Sequence, residues 1–170
     1  MQDLGRDSST YLGDGAIWDL GALAEDGRGG CWLGELALTI AAVFTGAAIY
    51  INIAEQPAPL QLDNSSLLAE WKPAYRRGYI MQASLAILGG VFGLVAYFSA
   101  SDWRWLLGAI VLLTNWPYTL FVIAPTNNRL MKTAPDAATD ETRRMLERWG
   151  ALHAGRSALG LVATLIFFVG

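Results

Sequence analysis

Three long stretches of this chain carry no charge, and they decide the solvent in which it folds. One runs from Leu36 to Ala54, bounded by Glu35 and Glu55; a second runs from Gly78 to Ser101; a third runs from Trp105 to Asn128. A bilayer core about 30 Å thick is crossed by about twenty helical residues rising 1.5 Å each, so each stretch predicts one transmembrane helix. Composition agrees, because only 16% of the 170 residues are charged, where a soluble domain carries about 25%.

The end of the chain holds a fourth span of a different kind. After Arg156 only fourteen residues remain, which reach about 21 Å as helix and cannot cross the core. A run without helix breakers from about Asp140 through Trp149 to Val169 therefore predicts one long helix. Its polar first half lies outside the lipid, and it carries His153 and Arg156 one to two turns inside the membrane boundary. The expected architecture is all-α, a four-helix transmembrane bundle over residues 33–170, with spans of about 33–54, 78–100, 103–124 and 141–169.

Residues 55–77, with Pro57, Pro59 and Pro73, predict a loop; Ser99 to Asp102 predicts a tight turn; Pro125 to about Thr139 predicts a polar link. Residues 1–32 read as a flexible, acidic, glycine-rich extension with Trp18 as its one plausible anchor, and they lack the basic start and apolar core of a secretory signal. Lys72, Arg76, Arg77, Arg129, Lys132, Arg143, Arg144 and Arg148 flank the first and third loops, against Arg6, Arg28 and Arg104 on the other side. The excess of basic residues puts those two loops in the cytoplasm and both termini outside; the membrane is expected to be a bacterial cytoplasmic one.

With that topology the polar residues of all four helices fall in one layer. Tyr50 and Asn52 end the first helix, Tyr79 and Gln82 begin the second, Asn115 and Thr119 lie about 6 to 12 Å inside the third, and Trp149, His153 and Arg156 occupy the first turns of the fourth. Spacings of three and four put Tyr79 and Gln82, Asn115 and Thr119, and Trp149, His153 and Arg156 each on one face of their helix. Polar groups at membrane depth are costly unless they pair or face a cavity, so the layer reads as a site. Each member also has a plainer reading: Arg156 as a snorkelling cation, His153 and Asn115 as interhelical hydrogen-bonding groups, Trp103 and Trp105 as an aromatic belt, and Gly89, Gly90 and Gly93 as close-packing positions.

Other classes of function are disfavoured. A net charge of −3 from 12 basic and 15 acidic residues gives no footprint for nucleic acid. Cys31 is the single cysteine and His153 the single histidine, too few for a cysteine-zinc, two-histidine haem or three-histidine zinc site, so no metal is expected.

The run Asn115-Trp116-Pro117-Tyr118-Thr119, then Pro125-Thr126-Asn127-Asn128-Arg129-Leu130, then Trp149, His153 and Arg156, resembles the anthrone-oxygenase-like membrane family, most of whose members are bacterial proteins of unknown function. The resemblance covers about residues 33–170, including Ala47-Ala48-Ile49-Tyr50 and Glu55-Gln56-Pro57. It implies an oxygenase that turns an anthrone or similar polycyclic phenol into a quinone with dioxygen, without metal or flavin. His153 would be the base, Arg156 and Asn115 the oxyanion partners, and Trp116 and Trp149 flat walls; Tyr79, Gln82, Thr119 and Asn127 complete the expected substrate contacts. Expected partners are membrane lipids and a lipophilic aromatic small molecule. The alternative is a non-enzymatic membrane module, a small complex subunit or lipid-binding protein, whose polar layer locks helices together. Transport would require a homo-oligomer, since four helices show no inverted repeat.

Overall fold

The computed structural model describes residues 28–170, with side chains from Trp32 onward; the expectations for residues 1–27, Trp18 included, lie outside the described residues. Helix α1 (Arg28–Tyr50) begins inside the stretch expected to be an extension and continues into a π-helical segment, Ile51–Glu55. Helix α2 spans Asn64–Ala100. The third rod is built from α3 (Trp103–Leu113), α4 (Asn115–Tyr118), a π-helical segment Thr119–Ile123, and α5 (Ala124–Lys132). Helix α6 spans Asp140–Phe168, as the breaker-free run predicts. No β-strand occurs among the described residues.

The four rods form an antiparallel ring in which α1 packs on α2 and α6, and α3 packs on α2 and α6. All four are long and apolar enough to cross a membrane. Their outward faces stay apolar, with Phe121, Phe98, Ile53 and Phe168 among the most exposed residues, as expected where the surrounding solvent is lipid. The inward stripe of α6 runs Thr142, Leu146, Trp149, His153, Arg156, Gly160, Ala163, Phe167. Its alternating steps of four and three are the 3.5-residue period that keeps one seam facing its neighbours.

Without a hydrophobic force between helices in lipid, small residues and close contact hold such a bundle. A methyl group on Gly108 would lie 2.5 Å from the Phe167 ring, one on Gly93 2.7 Å from it, and one on Gly89 2.6 Å from Leu112. The half of the bundle away from the first and third loops is accordingly alanine-rich and tight, with Phe44, Leu112 and Phe167 filling the gaps. Trp105 belongs to this core, packed on Phe167 with ring centroids 5.7 Å apart. That corrects the belt reading for Trp105, whereas Trp103 is 64% exposed.

Two connections differ from expectation. Residues 64–77, expected as loop, are the first turns of α2, and Pro73 lies inside that helix. The helix survives because a proline removes only one N–H and Pro73 faces outward, where the freed carbonyl can be solvated. Asp63 starts the helix by accepting hydrogen bonds from the Ser65 and Ser66 amides at 3.0 and 3.1 Å. Likewise the link expected from Pro125 is helical to Lys132, with Pro125 in the first turn, where its missing N–H is harmless. The turn at Ser101 is as expected: Ser101 adopts φ 55° and Asp102 caps α3.

The first and third loops are tied together at one end. Arg143 donates to Asn64 Oδ1 at 2.8 Å, to the Leu60 carbonyl at 2.7 Å and to the Leu62 carbonyl. Lys72 donates to the Met131 and Thr133 carbonyls. Beneath this knot the helices separate.

Candidate functional site

The separation leaves a cleft that encloses, with the solvent space at its mouth, about 710 Å³. Exposed Glu70 and half-buried Glu55 and Gln56 stand at its rim, and Gln82, His153 and Arg156 lie at its buried end. Its walls are aromatic. Trp71 and Tyr75 stack at 4.8 Å with planes 6° apart; Trp149 meets Trp71 edge-on at 5.5 Å; His153 lies 5.0 Å from Trp149. The helical period explains the wall on α2, since Trp71, Tyr75, Tyr79 and Gln82 follow at intervals of four, four and three. Treating residues 64–77 as loop hid Trp71 and Tyr75; that spacing was the signal that could have found them.

His153 is held in one orientation. Asn52 Nδ2 donates to the Gly150 carbonyl at 2.8 Å, which turns Asn52 Oδ1 toward α6. That oxygen accepts from Ser157 Oγ at 2.8 Å and stands 3.1 Å from His153 Nδ1. A carbonyl oxygen can only accept, so Nδ1 carries the proton and Nε2 keeps its lone pair. Nε2 has no hydrogen-bond partner among the described residues. Asn52 reaches His153 from the π-helical end of α1, the kind of local irregularity that often marks a functional position. The sequence reading put Asn52 in the polar layer without giving it a role.

Arg156 is buried, with 6% of its surface exposed, so it does not snorkel. It pairs with no carboxylate among the described residues; its guanidinium lies 5.6 Å from the centre of the Phe44 ring, and its Nε has no partner. Asn127 lines the cavity and braces its wall, its Oδ1 accepting from Trp149 Nε1 at 2.7 Å. Asn115, Trp116 and Thr119 do not border the large cavity. They line a smaller one, which shares Tyr79 and Arg156 with it. One expected pocket is thus two, meeting at those residues.

Among the described residues, seven buried side-chain atoms lack a hydrogen-bond partner: Trp71 Nε1, both amide atoms of Gln82, Asn115 Oδ1, Trp116 Nε1, Thr119 Oγ1 and Arg156 Nε. Every one belongs to a residue lining one of the two cavities. An unsatisfied buried polar group costs about 1–3 kcal/mol, so these atoms call for polar partners, water or ligand, inside the cavities. Among the described residues no three His, Cys, Asp or Glu side chains gather as a metal site would need.

Comparison with known proteins decides the family. The model of the anthrone oxygenase family matches residues 71–166, an interval holding Trp71 through Arg156. An anthrone oxygenase of Aspergillus fumigatus is 32% identical over 143 residues, covering 74% of this chain and 87% of that protein. The chain belongs to the anthrone oxygenase family. Further relatives are an anthrone oxygenase of a Cryptosporiopsis species, 28% identical over 150 residues with 80% and 86% of the two chains covered, and one of Claviceps purpurea, 26% identical over 149 residues with 79% and 86% covered. No solved structure matches the chain significantly. As a member of the anthrone oxygenase family the protein is an integral membrane four-helix bundle, and Asn52 lies outside the interval matched by the family model.

Proposed function

We propose that the protein oxidises an anthrone, or a similar lipophilic polycyclic phenol, to the corresponding quinone with dioxygen. The observation that carries this reading is an aromatic-walled cavity ending on a histidine of fixed tautomer beside an unpaired buried arginine. Trp71, Tyr75 and Trp149 offer faces and edges to a planar polycycle. His153 Nε2 takes a proton from the methylene carbon opposite the ketone, and the charge moves to the ketone oxygen, giving an electron-rich anthranolate. Arg156 supplies the positive charge that stabilises this oxyanion.

The anthranolate reacts with dioxygen at the same carbon. One electron passes to oxygen, the two radicals join in a C–O bond, and the peroxide takes the proton held by His153. Loss of the second C–H proton to the base, with cleavage of the O–O bond and departure of hydroxide, forms the new carbonyl. Protonation of hydroxide completes the balance: anthrone and dioxygen give quinone and water. The reaction asks of the protein a base, an anion partner and a dry, shaped cavity, and these are what the residues at the buried end of this one offer.

The test is oxygen uptake by detergent-purified protein given a panel of anthrones and hydroquinones. The expected result is uptake above the protein-free rate, with one quinone formed per dioxygen consumed. Binding of these compounds without uptake would favour a non-enzymatic small-molecule-binding module, and neither binding nor uptake would overturn the proposal.

A further inference from the structure

The smaller cavity is a place of its own. It is walled by Asn115, Trp116, Thr119, Leu120, Tyr79 and Arg156. It is far smaller than the first cavity and has no room for a fused ring. Four of its polar atoms are buried and unpaired: Trp116 Nε1 and Arg156 Nε, which donate; Asn115 Oδ1, which accepts; and Thr119 Oγ1, which does either. Asn115, Thr119 and Arg156 are each more than nine-tenths buried. Asn115 is oriented by its own amide nitrogen, which donates to the Leu112 carbonyl at 3.0 Å and leaves the oxygen as the open atom. Two donors, one of them cationic, with an acceptor and a hydroxyl suit a small anion that itself carries a proton.

We infer that this cavity is the oxygen end of the site, which binds dioxygen-derived species of two or three atoms while the polycycle occupies the larger cavity. The inference rests on the reading of the larger cavity given under Proposed function. Negative charge accumulates on oxygen twice in that chemistry: when dioxygen accepts the first electron, and when the O–O bond breaks. At the first point superoxide is held by the N–H groups of Arg156 and Trp116 until the C–O bond forms. At the second, the electron pair of the O–O bond goes to the leaving oxygen, and the hydroxide so formed is solvated by the same donors, with its own O–H directed to Asn115 Oδ1. Arg156 borders both cavities, so one cation serves the ketone oxygen on one side and the leaving oxygen on the other.

The probe is azide, a three-atom anion, read by its infrared stretching band in the purified full-length protein. Wild type should shift the band saturably. Trp116→Phe and Thr119→Val should weaken azide binding by about ten- to a hundredfold, the loss expected for a hydrogen bond to a charged group. Thr119→Ser, which keeps the hydroxyl, should bind as wild type does and controls for folding, together with melting temperature. In turnover the first two variants should raise the KM for dioxygen about tenfold while leaving anaerobic anthrone affinity unchanged. Absence of an azide shift in wild type, or wild-type azide binding and oxygen dependence in both variants, would overturn the inference in favour of a cavity that only holds structural water. Azide binding lost in the variants, with no anthrone turned over by any form, supports the anion site and sinks the anthrone reading instead.

Discussion

Asn52 Oδ1 stands 3.1 Å from His153 Nδ1, joining residues 101 positions apart in the chain. This contact fixes the tautomer so that, in the proposed reaction, the lone pair that takes the proton is on Nε2 and not Nδ1. Asn52→Ala should therefore lower kcat about ten- to a hundredfold, as loss of a second partner behind a reacting imidazole does, with little change in KM. An unchanged kcat would show that tautomer control lies elsewhere.

Arg156 distinguishes a site arginine from a packing one. Arg156→Lys keeps the charge but loses the planar donor fork and the buried Nε–H, which has no partner among the described residues. Turnover should fall about tenfold or more in Arg156→Lys while the melting temperature stays near wild type. A lysine variant of full activity would argue that only the charge matters.

Packing at the far end predicts a stability effect independent of the site. A methyl group on Gly108 would meet Phe167 at 2.5 Å, and overpacking of this kind costs about 1–3 kcal/mol. Gly108→Ala should melt below wild type in detergent, and Gly108→Ala with Phe167→Leu should recover part of the loss. Additive losses in the double variant would contradict the contact.

The cap of α2 gives a pH dependence. Hydrogen bonds from Ser66, side chain and backbone, and from the Ser65 amide hold the Asp63 carboxyl below its ordinary value of 3.8. A carboxylate depressed on folding contributes stability that is present above its unfolded pKa and is lost as pH falls through the lowered folded value. Thermal melts of Asp63→Asn against wild type should converge on acidification below pH ~4 and differ above it. A difference that persists unchanged into acid would contradict the cap.

The spans were legible because length and charge alone decide what crosses a bilayer, and the 3.6-residue period was enough to bring Trp149, His153 and Arg156 onto one face. Pro73 misled because a proline reads as a break, whereas on an outward face it costs one hydrogen bond and the helix continues. The cost of that reading was Trp71 and Tyr75, half of the aromatic wall. Depth and the spacing of four to Thr119 put Asn115 in the same layer as His153, but neither says which side of Arg156 a residue stands on, and the π-helical turn at Thr119–Ile123 is a shift that no regular period shows. The role of Asn52 needed a contact between distant helices, which spacing within one helix cannot supply.

The central claim is that His153 takes the proton from a polycycle bound in the aromatic cavity, and mixing anthrone with the protein in the absence of oxygen tests it without the later steps. Wild type should develop the visible absorption of the anthranolate anion, His153→Ala should bind anthrone without forming it, and added imidazole should restore the signal in that variant. Equal anthranolate formation by wild type and by a folded His153→Ala would contradict it.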